Sequence, residues 1–179
     1  MNLKLKRTPG LYLVGFMASG KSTVGRHLAR RMGWSFFDLD SEIESAERTS
    51  IAEIFATRGE AEFRRIETGI LRDHLRSIER GRPAVLALGG GTFTVDGNRV
   101  LLAENGITVW LDCPFEMVRR RVATQVHGPV RPLAQDPEKF AALYNDRRAL
   151  YQFADVRVEI ASDDPEETVA AILRHPVLQ

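Results

Sequence analysis

Apolar residues along this chain fall into short continuous runs, separated by longer stretches in which they recur every three or four positions. The runs at 11–15, 34–38, 84–88, 107–111 and 155–160 read as strands. Helical periodicity covers 21–32, a long region from 41 to 80, 114–124, 137–150 and 165–174. Local chemistry marks several helix starts. Ser50 with Glu53 forms a capping box, and the pairs Asp136-Pro137 and Asp164-Pro165 place an acceptor at the N-cap and proline at the first helical position. Strands alternating with helices predict an α/β fold, a parallel sheet clothed by helices on both faces in three layers. Ligands of such sheets sit beyond the carboxyl ends of the strands. No repeat, low-complexity tract or linker divides the chain, so 1–179 is expected to be one domain.

At the end of the first strand stands Gly15-Phe16-Met17-Ala18-Ser19-Gly20-Lys21-Ser22, a match to G-x-x-x-x-G-K-[ST] in the required strand–loop–helix context. Glycines at both ends let the backbone wrap phosphate oxygens with its N–H groups, and the following helix adds its positive end. The ATP-binding candidates here are Ala18, Ser19, Gly20, Lys21, Ser22 and Thr23, with Lys21 reaching the β- and γ-phosphates and the Ser22 hydroxyl a ligand for Mg²⁺. The chain has neither an N-K-x-D nor a D-x-x-G motif, which argues against a regulatory GTPase and for ATP.

Phosphoryl transfer to a hydroxyl asks for one carboxylate near the metal and another beside the acceptor. The second strand ends in Asp38-Leu39-Asp40, and Asp38 is assigned to Mg²⁺ and Asp40 to the acceptor. Helix capping by one of the two is the competing role. Gly89-Gly90-Gly91 follows the third strand, where bare backbone allows close ligand approach. Arg64 and Glu67, three apart, share a helix face. A segment of about 125–136 carries Gly128, Pro129, Arg131 and Pro132. It reads as a lid able to bring Arg131 to the transferring phosphate. Arg147 and Arg148 lie on the next helix.

Composition narrows the setting. The 179 residues are 44% hydrophobic and carry a net charge of +1, so a nucleic-acid-coating role has no support. No apolar run approaches a membrane span, and the first ten residues lack a secretory signal. The single cysteine, Cys113, forms no internal disulfide. A cytoplasmic protein is therefore expected, acting as a monomer. Of 25 basic residues 21 are arginine, the side chain suited to bidentate recognition of carboxylate and phosphate.

Taken together, the stretches GFMASGKST, DLDSEIE, SIAEIFATRGEAEFRRIE, LALGGG, VRPLA and RRALY resemble the shikimate kinase family, over nearly the whole chain. The resemblance implies a P-loop kinase fold with a five-stranded parallel sheet, a helical substrate-binding region at about 39–67 and a mobile lid. It implies transfer of the ATP γ-phosphate to the 3-hydroxyl of shikimate in chorismate biosynthesis. By the same resemblance Arg64 and Arg147 hold the shikimate carboxylate, Asp40 and the backbone of Gly89, Gly90 and Gly91 meet the ring hydroxyls, and Lys21 and Arg131 stabilise the γ-phosphate. Ser22 and Asp38 organise Mg²⁺. Arg121, or its neighbour Arg120, stacks on adenine opposite a turn containing Ser162 and Asp163. Three departures stand out: Ala18 replaces a common glycine and fits only with a negative φ, the lid is longer than in some members, and R-R-A-L-Y replaces R-x-P-L-Y. The alternatives are a gluconate-kinase-like sugar-acid kinase and an ATP-binding module without catalysis.

Overall fold

The computed structural model describes residues 10–124 and 136–179. Five strands form one parallel sheet: β1 (Gly10–Val14), β2 (Ser35–Asp38), β3 (Ala84–Ala87), β4 (Ile107–Asp112) and β5 (Val156–Glu159), in the order β2-β3-β1-β4-β5. Every residue of β1, β3 and β4 is buried. Successive side chains of a strand point to opposite faces, so both faces of the central sheet are covered. The edge strand β5 instead alternates buried and exposed positions. That difference is why the inner strands read as unbroken apolar runs.

Among the described residues seven helices connect and cover the strands: α1 (Lys21–Met32), α2 (Leu39–Glu47), α3 (Ile51–Glu79), α4 (Asp96–Asn105), α5 (Phe115–Thr124), α6 (Pro137–Tyr151) and α7 (Pro165–Arg174). Helix α1 packs on β2, β3 and α7, while α4 packs on β4 and α3. The core is built from strand residues such as Leu11, Leu13, Leu86 and Leu111 against Leu28, Ile43, Leu71, Leu102 and Ile172 from the helices. The three cap signals behave as read: Ser50, Asp136 and Asp164 each accept from a backbone N–H of the following turn.

The long helical region of 41–80 divides into two helices, the second starting after Ser50 as its cap signal indicated. Asp38 caps α2, so that helix starts at Leu39, and Arg48 ends it in a left-handed conformation. Helix α3 is itself interrupted at Gly59, whose φ of 81° and ψ of 173° break the helical path. Helix α4 and the short 3₁₀ turn Thr92–Thr94 were not expected. Other boundaries differ by a residue or two, within the fraying of element ends. Among the described residues, no helix is long and apolar enough to cross a membrane.

Candidate active site

The first loop leaves β1 at Gly15, whose φ is 150° and where an added Cβ would lie 2.9 Å from the Leu111 carbonyl oxygen. Gly20, at φ 95°, turns the chain into α1. Between them Ala18 sits at φ 58°, which corrects the expectation of a negative φ. The physical reason is the loop's curvature. Left-handed residues interspersed along it turn N–H groups inward as an anion-binding concavity, and Ala18 tolerates the position at a cost of about 1–2 kcal/mol. Ala18→Gly is accordingly expected to raise unfolding free energy by up to about 1 kcal/mol in denaturant titrations, part of the relief being offset by a freer unfolded chain.

The loop opens on a cavity of about 470 Å³ at the carboxyl edge of the sheet. Of the residues singled out in the sequence, Ala18, Ser19, Gly20, Lys21, Ser22, Thr23, Asp38, Asp40, Gly90, Arg121, Ser162 and Asp163 all line it. Lys21 Nζ donates to the carbonyl oxygens of Gly15 (2.8 Å) and Phe16 (2.9 Å), so the ammonium is held at the loop's mouth. Ser22 Oγ donates to Asp38 Oδ2, while Asp38 Oδ1 caps α2 through the Ser41 N–H at 3.4 Å. Asp38 thus fills the capping role with one oxygen and meets the Ser22 hydroxyl with the other. Ser19 Oγ is buried and has no hydrogen-bond partner among the described residues.

Arg121 and Arg120 also separate. Arg121 is 22% exposed and donates to Ala18 O (3.1 Å) and to Asp163 Oδ1 (2.8 Å), placing its guanidinium along the phosphate loop. Arg120 is 59% exposed, pairs with the other oxygen of Asp163 at 2.6 Å and does not line the cavity.

Asp40 lies on the first turn of α2, mostly buried. Burial pushes its carboxyl up to about 6, helped by the neighbouring Asp38 and Glu67 carboxylates and opposed by the Lys21 ammonium. A methyl group added at Gly89 would come within 2.7 Å of Asp40 Oδ1, and one at Gly90 within 2.8 Å of Arg147 Nη1. One at Gly91 would overlap the Arg64 guanidinium. The three glycines therefore carry, in turn, an acid and two guanidinium groups packed against bare backbone. Arg64 is oriented by Glu67, which is 1% exposed and accepts its Nη1 at 2.7 Å. Glu67 Oε1 takes the Thr92 hydroxyl at 2.5 Å. Of the two arginines on α6, Arg147 faces Gly90, whereas Arg148 turns away to Asp112 at 2.9 Å. Arg131 and residues 125–135 of the expected lid lie outside the described residues.

Two further contributors were given no role in the sequence reading. Phe16, inside the loop, packs its ring on Tyr144 and Phe140 of α6 and lies under the Arg147 guanidinium at 5.8 Å. The Tyr151 hydroxyl donates to Gly90 O at 2.6 Å and holds the glycine run from below. Both lie inside matched stretches, Phe16 in GFMASGKST and Tyr151 at the end of RRALY, without an assigned role.

The site is thus a phosphate-binding loop joined to a pocket with one buried acid and two arginines. A family model for shikimate kinase matches residues 17–176. The chain belongs to the shikimate kinase family. Shikimate kinase from Synechococcus sp. strain CC9605 is 43% identical to it over 174 residues, covering 94% of this chain and 84% of that protein. The enzyme of Synechococcus elongatus is 40% identical over 164 residues, covering 91% and 84%. Among solved structures, shikimate kinase from Acinetobacter baumannii in complex with shikimate has a TM-score of 0.82 and 36% identity, over 95% of this chain and 93% of that one. Membership makes the protein a small-molecule kinase of the P-loop type, as the loop and sheet order had indicated.

Proposed function

We propose that this protein transfers the γ-phosphoryl group of ATP to the 3-hydroxyl of shikimate, giving shikimate 3-phosphate and ADP, in aromatic amino acid (chorismate) biosynthesis. The observation that carries the reading is the sharing of one cavity by Lys21 and Asp40, with two guanidinium groups held against the glycines beside it. A small hydroxylated acid fits such a pocket: arginines for its carboxylate, an aspartate and backbone groups for its hydroxyls.

Arg64 and Arg147 hold the carboxylate, orienting the ring so that the reacting hydroxyl meets Asp40. With its pKa near 6, Asp40 is ionised at neutral pH yet basic enough to accept the hydroxyl proton. The hydroxyl oxygen then bonds to the γ-phosphorus as the bond to the bridging oxygen of ADP breaks. Lys21 and Arg131 offset the charge spread over the transferring group, and positioning plus charge stabilisation carry the step without a covalent intermediate. Arg121 with Ser162 and Asp163 borders the base.

Among the described residues no group of three or more His, Cys, Asp or Glu side chains is arranged to hold a metal. The Ser22 hydroxyl and Asp38 carboxylate, joined beside the loop, are the hard oxygen donors that suit Mg²⁺ arriving with phosphate oxygens as its other ligands. When bound there, Mg²⁺ neutralises charge on the β- and γ-phosphates. In this reading the whole chain acts as one domain and one cytoplasmic monomer, with a substrate region at about 39–67 and a lid at about 125–136.

The test is ADP release in a coupled assay with ATP and Mg²⁺, comparing shikimate, gluconate and no acceptor. Turnover that depends on shikimate is the expected result. Faster turnover with gluconate, or none with any acceptor despite nucleotide binding, would overturn the reading. Arg64→Ala is expected to raise the KM for shikimate about ten-fold or more while changing the KM for ATP less than two-fold, because a carboxylate clamp acts on the acceptor alone. Calorimetry showing equal weakening of both ligands would contradict that assignment.

A further inference from the structure

Helix α6 brings Arg147 to the acceptor pocket, and it is seated on the core by aromatic rings that pack on Phe16, Phe115 and Trp110. Of its 15 residues, Phe140, Tyr144 and Tyr151 alone are buried. Its remaining attachments to the sheet edge are polar. The Tyr144 hydroxyl donates to Cys113 O at 2.9 Å, and the Tyr151 hydroxyl to Gly90 O at 2.6 Å. The third attachment is ionic: Arg148 reaches the Asp112 carboxylate through Nε (3.2 Å) and Nη2 (2.9 Å), one nitrogen to each oxygen.

Asp112 is the last residue of β4 and is only 6% exposed. Arg157 of β5 donates to the same carboxylate at 2.9 Å. Both guanidinium groups lie over the Trp110 ring, Arg148 at 5.6 Å and Arg157 at 5.2 Å, which limits the orientations open to them. A buried carboxylate gripping a planar fork at two points defines direction as well as distance. Arg147 and Arg148 are consecutive, so about 100° of helix rotation separates them, and fixing one direction fixes the other. A rotation of about 10° would move a guanidinium some 6 Å from the helix axis by about 1 Å, the scale at which a misplaced substrate loses rate.

We propose that Asp112 is a positioning residue for the acceptor site: by gripping Arg148 it sets the rotation of α6 and so holds Arg147 against Gly90. The proposal rests on the reading of Arg147 as a carboxylate-binding group. It assigns Asp112 no contact with substrate. Its signature is therefore selective: loss of Asp112 weakens recognition of the acceptor's carboxylate and leaves the nucleotide alone.

The experiment compares kcat/KM for shikimate with kcat/KM for its methyl ester, which lacks the charge, in the full chain. Asp112→Asn is expected to reduce that ratio about ten-fold with the KM for ATP changed less than two-fold. A general loosening would lower both acceptors alike and leave the ratio where it was. Arg148→Gln, at a half-exposed position, is expected to reproduce the effect and carries the test if the buried substitution prevents folding. Arg157→Gln, which touches the same carboxylate from β5 and not from α6, is expected to leave the ratio unchanged. Arg147→Ala serves as the reference. If it collapses the ratio while Asp112→Asn and Arg148→Gln do not, the proposal is wrong and the reading of Arg147 stands. If Arg147→Ala itself leaves the ratio intact, that reading fails and the proposal falls with it. A collapse in Arg157→Gln equal to that in Arg148→Gln would also overturn it, since the cluster would then act on the sheet edge as a whole.

Discussion

Asp40→Asn is expected to lower kcat by two to four orders of magnitude and, at pH 8, to make the protein more stable. The first effect is the usual worth of a positioned general base, because the amide cannot accept the hydroxyl proton. The second comes from the environment that makes Asp40 useful. Burial first, then the Asp38 and Glu67 carboxylates, raise its pKa to about 6 against the pull of Lys21. An acid whose pKa is raised on folding is held protonated more tightly in the folded chain than in the unfolded one. Its contribution is fully favourable below the unfolded value, near 4, and is lost as pH rises through about 6. Above that, the fold carries an ionised buried carboxylate, and the neutral asparagine removes the cost. A gain of about 1–3 kcal/mol at pH 8 is expected, shrinking to nothing below about pH 4. Thermal unfolding at the two pH values measures it. In the wild-type protein the same group should set an acid limb on kcat/KM for the acceptor with an apparent pKa near 6. Turnover near wild type in the variant, or a variant less stable at pH 8, would remove Asp40 from this role.

The same opposition between local rules and function separates what could be read along the chain from what could not. The phosphate loop, the Asp38–Asp40 pair and the glycine run were legible because each packs its chemistry into neighbouring positions, where strand ends and helix starts dictate direction. The three capped helices were legible for the same reason. Helix α4 was not. Its segment, Asp-Gly-Asn-Arg-Val-Leu-Leu-Ala-Glu-Asn, opens with poor helix formers after Val95, which offers no side-chain cap. Burial of Leu102, together with Asn98 and Asn105, holds it in place, and that is a tertiary cause. The start of α3 was marked by the Ser50 cap, whereas the end of α2 at Arg48 was not, because helical periodicity persists on both sides of it. Ala18 was misjudged because a turn needing a left-handed residue does not always carry glycine. Arg147 was preferred to Arg148 by its spacing to Leu150 and Tyr151, but the partners that separate the two in space, Asp112 36 positions from Arg148 and Gly90 57 positions from Arg147, are connected by no spacing rule.

The second large effect is expected at Glu67, where catalysis and folding share a group. Glu67→Ala should destabilise the protein by about 2 kcal/mol or more, since it strands the buried Thr92 hydroxyl and leaves the part-buried Arg64 with the more distant Glu60 carboxylate at 3.5 Å. Arg64 would lose the acceptor that orients it at 2.7 Å, and Thr92 the one at 2.5 Å. The damage should not stop there. The Thr92 carbonyl accepts from Asn98 Nδ2, and Asn98 Oδ1 accepts from the Thr68 hydroxyl, so Glu67 ties α3 to α4 and to the turn that follows Gly91. Loosening that turn moves the backbone against which the Arg64 guanidinium is packed. The KM for shikimate should therefore rise at least as far as in Arg64→Ala, whereas that variant, which keeps Glu67 and Thr92 joined, should lose less stability. Glu67→Gln separates the two contributions. Its amide still offers an oxygen to one partner and keeps the volume filled, so it should recover most of the stability while leaving the acceptor KM raised, because a neutral group no longer orients the guanidinium by charge. Denaturant titration and steady-state kinetics on the three variants measure both quantities. Equal stability of Glu67→Ala and wild type would show that the network is incidental to the fold, and an unchanged KM in Glu67→Gln would show that Arg64 is oriented by packing against Gly91 alone.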